Sequence, residues 1–403
     1  MIDRLMILEK VRPFIGTDVI KVITGLRRSG KSVFLEQIIS EIRRIKGESA
    51  EILSISLEDE ENARFLKKGV LHEFIADKLK ANSGKKVYVF LDEIHDVEDW
   101  ETSVNSLRMR KNADIYITGS NSKLLSGELA TYLTGRYVEI KVTPFSFAEF
   151  LESAQGMFPG LDREQLFYRY LDTGGFPFLA RIGYDSAASK DYLKNLYGAI
   201  LLKDVVRRKK IRDVDLLDRI VRFVMNETGH TFSARSVSDF FKNEKRIVAP
   251  ETVLNYLAAC EEAFLFSRVK RQDLVGRRIL AVDEKYYVSD LGLRRAVVGG
   301  TVARDIDVSL ENVVYVELVR RGYDVTVGRV RDKEVDFVCD RDGSRMFVQV
   351  SYLLANEEIK AREYGALDSL KARGDRLLLT MDRLDMSTET VAHRYIPDWL
   401  LGK

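Results

Sequence analysis

The sequence predicts an α/β protein that opens with a three-layer, mostly parallel sheet and continues through a helical segment into two further domains. Three observations predict it. Apolar, β-type runs at residues 20–24, 51–57, 86–91, 114–118 and 137–142 alternate with helical stretches such as 33–45 and 66–79. Strands separated by helices imply parallel strands covered on both faces. The first run passes into Gly25-Leu26-Arg27-Arg28-Ser29-Gly30-Lys31-Ser32 before its helix, and the third, Val87-Tyr88-Val89-Phe90-Leu91, ends in Asp92-Glu93. Ligands on such sheets bind at the carboxyl ends of the strands, where both motifs fall.

Composition sets the outer limits. With 403 residues, 45% hydrophobic and 31% charged, and a net charge of +2, the chain reads as a soluble globular protein of about two to four domains. Cys260 and Cys339 cannot make a disulfide framework, and no C-x-x-C pair or Cys/His cluster suggests structural zinc. A reducing, cytoplasmic setting is expected. No eighteen apolar residues run together, so no spanning helix is expected; Asp3 and Glu9 bracket only a short apolar run, which reads as neither signal peptide nor anchor.

Residues 4–14 read as a short helix leading into the first strand. Gly25, Gly30, Lys31 and Ser32 then fit G-x-x-x-x-G-K-[ST], a loop whose backbone N–H groups wrap phosphates. The two glycines permit close approach, Lys31 can reach β- and γ-phosphates, the Ser32 hydroxyl can ligate Mg²⁺, and the following helix points its N-terminus at the anion. Gly25, Arg28, Ser29, Gly30, Lys31 and Ser32 are therefore the nucleotide-binding candidates of this loop. On the third strand, Asp92 is placed beside Mg²⁺ and Glu93 where it could polarise an attacking water. An apolar strand running into an acidic helix cap reads similarly, but not behind a phosphate loop. His95 reads as a loop residue, since no second His stands at metal-binding spacing. The fourth strand ends in Gly119-Ser120-Asn121-Ser122, where Ser120 or Asn121 could hold the γ-phosphate or the water, or cap a helix at 123–129; the two readings are compatible. Arg136, at the head of the fifth strand, is either an arginine finger, in cis or across a subunit interface, or an exposed structural arginine.

These motifs in this order, with Pro144-Phe145-Ser146-Phe147-Ala148-Glu149-Phe150 and Gly174-Gly175-Phe176-Pro177 after them, resemble the AAA-type P-loop ATPases (AAA+ superfamily) of bacteria and archaea that carry a C-terminal domain of unknown function. The resemblance covers essentially the whole chain. It implies an AAA-like module with an additional strand between the two Walker strands. The choice of ATP over GTP rests on it, with the absence of an N-K-x-D motif as minor support.

Beyond the core (1–143), residues 144–202 read as helices at 146–153, 163–172 and 187–202, matching in position a lid over the nucleotide; Arg181 is a conceivable nucleotide sensor there. From Lys203 to Arg278 there are 17 Lys or Arg against 11 Asp or Glu, densest at Arg207-Arg208-Lys209-Lys210-Ile211-Arg212. Helices at 216–226, 233–241 and 250–263, then strands at 264–270, 278–282 and 286–288, follow the order of a winged helix, giving a winged-helix-like domain at 203–304. On that reading the third helix would be the recognition helix, with Lys270, Arg271, Arg277 and Arg278 on the wing. That helix carries Glu251, Glu261 and Glu262 and no Lys or Arg, poor for a helix against phosphates, so DNA contact would fall to the wing and the 207–212 run; a protein-docking or solvated basic face is the other reading.

Residues 305–403 run helix (312–321), strands at 324–330, 334–339 and 346–351, helix (357–373) and strand (377–380), an order resembling the restriction-endonuclease-like fold. Asp336 fits that fold's first acidic position, but Gln349 and Ser351 replace its second acid and its lysine. A neutral amide adds no charge to a divalent cation and serine cannot do a lysine's proton chemistry, so this domain reads as catalytically silent. Glu311, Glu317, Glu334 and Asp336 are the residues that could still gather Mg²⁺. The sequence thus points to an ATPase binding ATP and Mg²⁺ that couples nucleotide state to nucleic-acid or protein binding, with a slow switch or scaffold, or an ATP-regulated nuclease, as alternatives. No membrane contact is expected, and an oligomer is compatible with a finger used in trans.

Overall fold

The computed structural model describes residues 2–122, 135–276, 278–331 and 333–403. Two compact units make up the chain, Met1–Thr143 with Glu262–Phe264, and Pro144–Glu261 with Leu265–Lys403.

In the first unit, strands β1 (Ile20–Thr24), β2 (Glu51–Ser56), β3 (Val87–Asp92), β4 (Ala113–Gly119) and β5 (Tyr137–Lys141) form a five-stranded sheet in the order β2-β3-β4-β1-β5, with every pair parallel. β4 lies between the two motif-bearing strands, as the resemblance implied. All residues of β1 and β4 are buried, the pattern of central strands covered on both faces, whereas edge strand β2 is largely open. Alternation sends Val22, Leu91 and Ile117 to one face, against helices Val70–Ala81 and Trp100–Arg108, and Ile23, Phe90 and Tyr116 to the other, against helix Lys31–Lys46. That last helix buries Phe34, Ile38 and Ile42 at four-residue spacing.

The expected helix at 4–14 is split into helix Leu5–Val11 and a 3₁₀ turn Arg12–Phe14, because Pro13 lacks the N–H that would continue the ladder. Lys21, read as part of an apolar strand, is fully buried and paired with the equally buried Asp114, whose other oxygen accepts from Gly16 N at 2.7 Å and from the Tyr116 hydroxyl at 3.1 Å. The residues of the helix expected at 123–129 lie outside those described.

The second unit begins with helices Phe147–Ser153, Arg163–Thr173, Pro177–Arg181 and Ser186–Ala199. The first two start with reciprocal capping boxes, Ser146 with Glu149 and Asp162 with Gln165. The last passes into a π-helical turn, Ile200–Val206. Helices Val214–Asn226, Ala234–Asn243 and Pro250–Glu262 follow.

The strands of this unit are β6 (Thr231–Phe232), β7 (Phe266–Asp273), β8 (Arg278–Val288), β9 (Asp324–Val330), β10 (Lys333–Arg341), β11 (Ser344–Val350), β12 (Asp375–Thr380) and β13 (Ala392–Tyr395). They form one sheet, β13-β12-β11-β10-β9-β7-β8-β6. The β-ribbon of residues 266–288 and the strands after residue 305 are therefore continuous. The junction is parallel pairing of Arg271, Gln272 and Asp273 with Val327, Gly328 and Arg329. Helix Ile306–Arg320 starts six residues ahead of the expected 312, and helix Leu291–Val298, β13 and helix Ile396–Leu400 have no counterpart in the sequence reading.

Candidate functional site

At the carboxyl end of β1 the chain turns through Gly25, whose φ of +146° suits glycine and whose Cβ, if it had one, would sit 2.0 Å from the Val142 carbonyl oxygen. Gly30 closes the loop with φ +100° as the cap of helix Lys31–Lys46. Between them Arg28 is exposed in the left-handed region at φ +66°, and Ser29 is buried with its hydroxyl unpartnered among the described residues. Ser32 is exposed in the first turn of the helix. From below, Arg4 braces this loop: its guanidinium donates to Thr143 O at 2.8 Å and Ser29 O at 3.4 Å.

Lys31 is buried and folds back over its own loop, with Nζ 3.3 Å from Gly25 O, 3.4 Å from Leu26 O and 3.4 Å from Glu93 Oε1. β3 delivers Asp92 and Glu93 beside it, and β4, in the intervening position, delivers Thr118, Ser120 and Asn121. Thr118 joins the two acidic residues. Its hydroxyl donates to Asp92 Oδ1 and accepts from Glu93 N at 2.8 Å. Ser120 N donates to Glu93 Oε2 at 3.2 Å, and His95 Nδ1 lies 3.1 Å from the same oxygen. Glu93 takes φ +54°, unusual for a residue with a side chain, and this backbone turn keeps its carboxylate within the site. Burial alone would raise the Glu93 carboxyl, but the Lys31 ammonium, the His95 ring and Arg27 beside it hold it at about 2. Glu93 is thus an anion at neutral pH with its basicity suppressed while Lys31 stands beside it.

Lys31, Asp92, Glu93, Ser120 and the Gly25–Gly30 backbone are therefore brought together, with Asn121 buried next to Ser120. Arg136 is not. It is exposed and immediately precedes Tyr137, which pairs with Ile20 at the opposite end of β1 from Thr24. Four residues of strand rise separate it from the loop, roughly 13 Å. That placement keeps Arg136 apart from the phosphate loop, and its guanidinium meets Asn105 Oδ1 at 3.5 Å.

The residues fit Mg²⁺ and nucleotide phosphates. Asp92 keeps one carboxylate oxygen clear of Thr118, Ser32 lies open at the helix start, and the buried Ser29 hydroxyl has no partner among the described residues. Sequence reading missed Thr118 and Arg4, each tied to the site through partners distant in sequence; His95, read as a loop residue, lies in the turn after β3 with its ring beside Glu93.

The wing does not stand free. Arg271 turns inward to Glu334 Oε2 at 2.6 Å, and its strand is covered by β9, so the expected DNA contact by Arg271 is corrected by pairing that occupies both its side chain and its edge. Arg278 lies exposed, 3.9 Å from Asp273, and Arg277 lies outside the described residues. Much of the basic excess is answered locally: Arg246 by Asp213 and Asp215, Arg222 by Asp218, Arg268 by Glu261 and Glu284. In the 207–212 run, Arg207, Lys210 and Arg212 are exposed.

In the C-terminal region Lys285 of β8 occupies the middle of the acidic group. Its Nζ is 2.9 Å from Glu311 and 2.7 Å from Glu334. Against the effect of burial, Glu311, Asp336 and Glu334 hold this ammonium more firmly protonated than usual. Asp336 accepts from Val350 N at 2.8 Å, and burial with the nearby Glu311 pushes its carboxyl well above the usual range. Gln349 accepts from Asp336 N at 3.3 Å. Glu317 faces Arg320 and Arg321 instead. Among the described residues no group of three acidic, His or Cys side chains is disposed to hold a metal ion.

Residues 17–151 match the family model described as an AAA domain, and residues 164–304 match one described as a domain of unknown function (DUF8612). An uncharacterized protein of Haemophilus influenzae is 35% identical over 402 residues, 100% of this chain and 99% of that one. The uncharacterized protein MJ1544 of Methanocaldococcus jannaschii is 30% identical over 366 residues, 87% of this chain and 78% of its own. Among solved structures, the Walker-type ATPase PABY2304 of Pyrococcus abyssi shares the fold with a TM-score of 0.52 at 16% identity, over 74% of this chain and 96% of that one.

Proposed function

This chain belongs to the family of the Haemophilus influenzae protein and MJ1544, its N-terminal part being an AAA domain, and from that premise we propose that it is a Mg²⁺-dependent ATPase whose nucleotide state sets what its second unit binds. The observation that carries the reading is the meeting of Lys31, Asp92 and Glu93 at the carboxyl ends of β1 and β3, linked through Thr118 of β4 and Ser120 just beyond it.

The chain's own groups divide the work. The amides of Gly25–Ser32 and the Lys31 ammonium take the phosphates, with Arg28 and Ser29 as further contacts. Ser32 and Asp92 would hold Mg²⁺, which supplies neutralisation of phosphate charge when bound. Ser120 and Asn121 flank the terminal phosphate. Glu93 orients the attacking water. Lys31 and Glu93 are coupled in this scheme: a phosphate that draws Lys31 away from Glu93 removes the cation that suppresses its basicity, so Glu93 becomes a better proton acceptor once the substrate is seated.

The position of Arg136 supports slow, switch-like turnover, because a site that Arg136 of the same chain does not reach forgoes that residue's contribution, about 10³–10⁵ in rate for an arginine finger. A neighbouring copy could supply it. The output we assign to residues 144–403, with the 207–212 run as the nucleic-acid contact and the winged-helix-like and restriction-endonuclease-like regions as binding modules in a reducing cytoplasm. Lys285 at the centre of the acidic group supports a binding rather than a cleaving role for the latter.

Steady-state phosphate release from ATP, by the protein and its Lys31→Ala variant, with and without single- and double-stranded DNA, tests this. We expect hydrolysis that requires Mg²⁺ and falls at least ~100-fold in Lys31→Ala. Stimulation by DNA would support the nucleic-acid output; Lys31-dependent hydrolysis indifferent to DNA would assign the output to a protein partner. Hydrolysis unchanged by Lys31→Ala would sink the proposal.

A further inference from the structure

A second polar cavity, within the second unit, has no part in the ATPase reading. It measures about 240 Å³ and is walled by Asp172, Ser189, Lys190, Arg295, Gly299 and Gly300 among others. Arg295, on helix Leu291–Val298, is 8% exposed, and none of its three guanidinium nitrogens has a hydrogen-bond partner among the described residues. Asp172, itself half exposed, forms an ion pair with Nε at 3.2 Å without satisfying the group. Ser189 is 2% exposed, and its hydroxyl is likewise unpartnered. Lys190 stands exposed at the mouth, and Ser189 and Lys190 belong to the first turns of helix Ser186–Ala199, whose N-terminus carries partial positive charge.

A buried guanidinium with empty donors is costly, and a native structure keeps one where something fills it. The unused donors are all of one kind. A planar fork, a hydroxyl and an ammonium converge on a space smaller than the 300–1,000 Å³ of a drug-sized site. Gly299 and Gly300, with φ of +79° and +92°, keep side chains off one wall.

We propose that this cavity is a binding site for a phosphate dianion, either free or as the monoester of a small ligand, gripped by Arg295 and Ser189 and steered by Lys190. A tetrahedral anion offers three or more acceptor oxygens, matching the number of unpaired donors better than a carboxylate's two. The site is independent of the phosphate loop, since every wall residue lies beyond residue 171.

The test uses the full-length Lys31→Ala protein, so that the phosphate loop does not dominate, titrated with inorganic phosphate and separately with ribose 5-phosphate by calorimetry. Saturable binding is expected, weakened roughly 10- to 100-fold by adding Arg295→Met and less by adding Ser189→Ala. Binding of both probes identifies a monoester pocket; binding of inorganic phosphate alone identifies a free-phosphate site. Without ligand, Arg295→Met should melt no lower than its parent, because it removes an unsatisfied buried charge, and phosphate should raise the melting temperature of the parent only. No saturable binding in Lys31→Ala, or binding insensitive to both Arg295→Met and Ser189→Ala, would overturn the assignment.

Discussion

Glu93 illustrates how much of this site is set by single side chains. Its carboxylate is shared among Lys31, His95 and the Ser120 amide while its backbone sits at φ +54°. Glu93→Gln is expected to retain ATP binding, read with a fluorescent nucleotide, and to lose phosphate release by about 10²-fold or more. Lys31→Ala should lose both. In the absence of nucleotide the two substitutions should also couple in stability. Lys31→Ala strands a buried carboxylate and should cost about 1–3 kcal/mol, and adding Glu93→Gln should recover part of it. Urea melts of the four proteins measure this; strict additivity would show that the ion pair has no energetic role. The motif residues were legible because phosphate chemistry demands neighbours in sequence: a loop of consecutive amides, or two carboxylates at a strand end. Thr118 and Arg4 were not, because an ordinary threonine and an N-terminal arginine acquire meaning only through oxygens 26 and 139 residues away.

Among elements, helix Leu291–Val298 shows a cap that titrates. Asp290 accepts from Leu293 N at 2.8 Å at the helix start and from Gly175 N at 2.7 Å. Complete burial raises its carboxyl to about 6 despite these donors. The folded state therefore holds this proton more tightly than the unfolded chain does. Its contribution to stability is full below about pH 4 and is lost as pH rises through 6. Thermal melts across pH 4–7 should show that decline, and Asp290→Asn should flatten it; an unchanged slope would place the titration elsewhere. This helix escaped the sequence reading altogether, since its face is all buried, Arg294 and Arg295 included, and no amphipathic stripe marks it. The five core strands, by contrast, were legible to within a residue or two, the central ones because both their faces are apolar.

Over the whole molecule, the second unit owes its cohesion to a sheet assembled from segments distant in sequence. β7 lies between β8 and β9, and Lys285 draws its carboxylates from Glu311 and Glu334. A chain ending at residue 304 would leave the β7 edge open and take from Lys285 both of its carboxylate partners. Such a fragment is expected to be insoluble or to show unprotected β7 amides by hydrogen exchange; a soluble, protected fragment would show that β7 and β8 hold without the strands after residue 304. Local patterns place β7 and β9 to within a few residues, but their parallel pairing depends on which edge meets which, and no residue spacing encodes that.

That pairing also has a temporal side. The last residue of β7 is 273 and the first of β9 is 324. At a synthesis rate of about 5–20 residues per second, the nascent chain carries an uncapped strand for roughly 3–10 s before its neighbour is made. For that interval, self-association competes with completion, and the Lys270 and Arg271 charges on that strand act as its gatekeepers until β9 arrives.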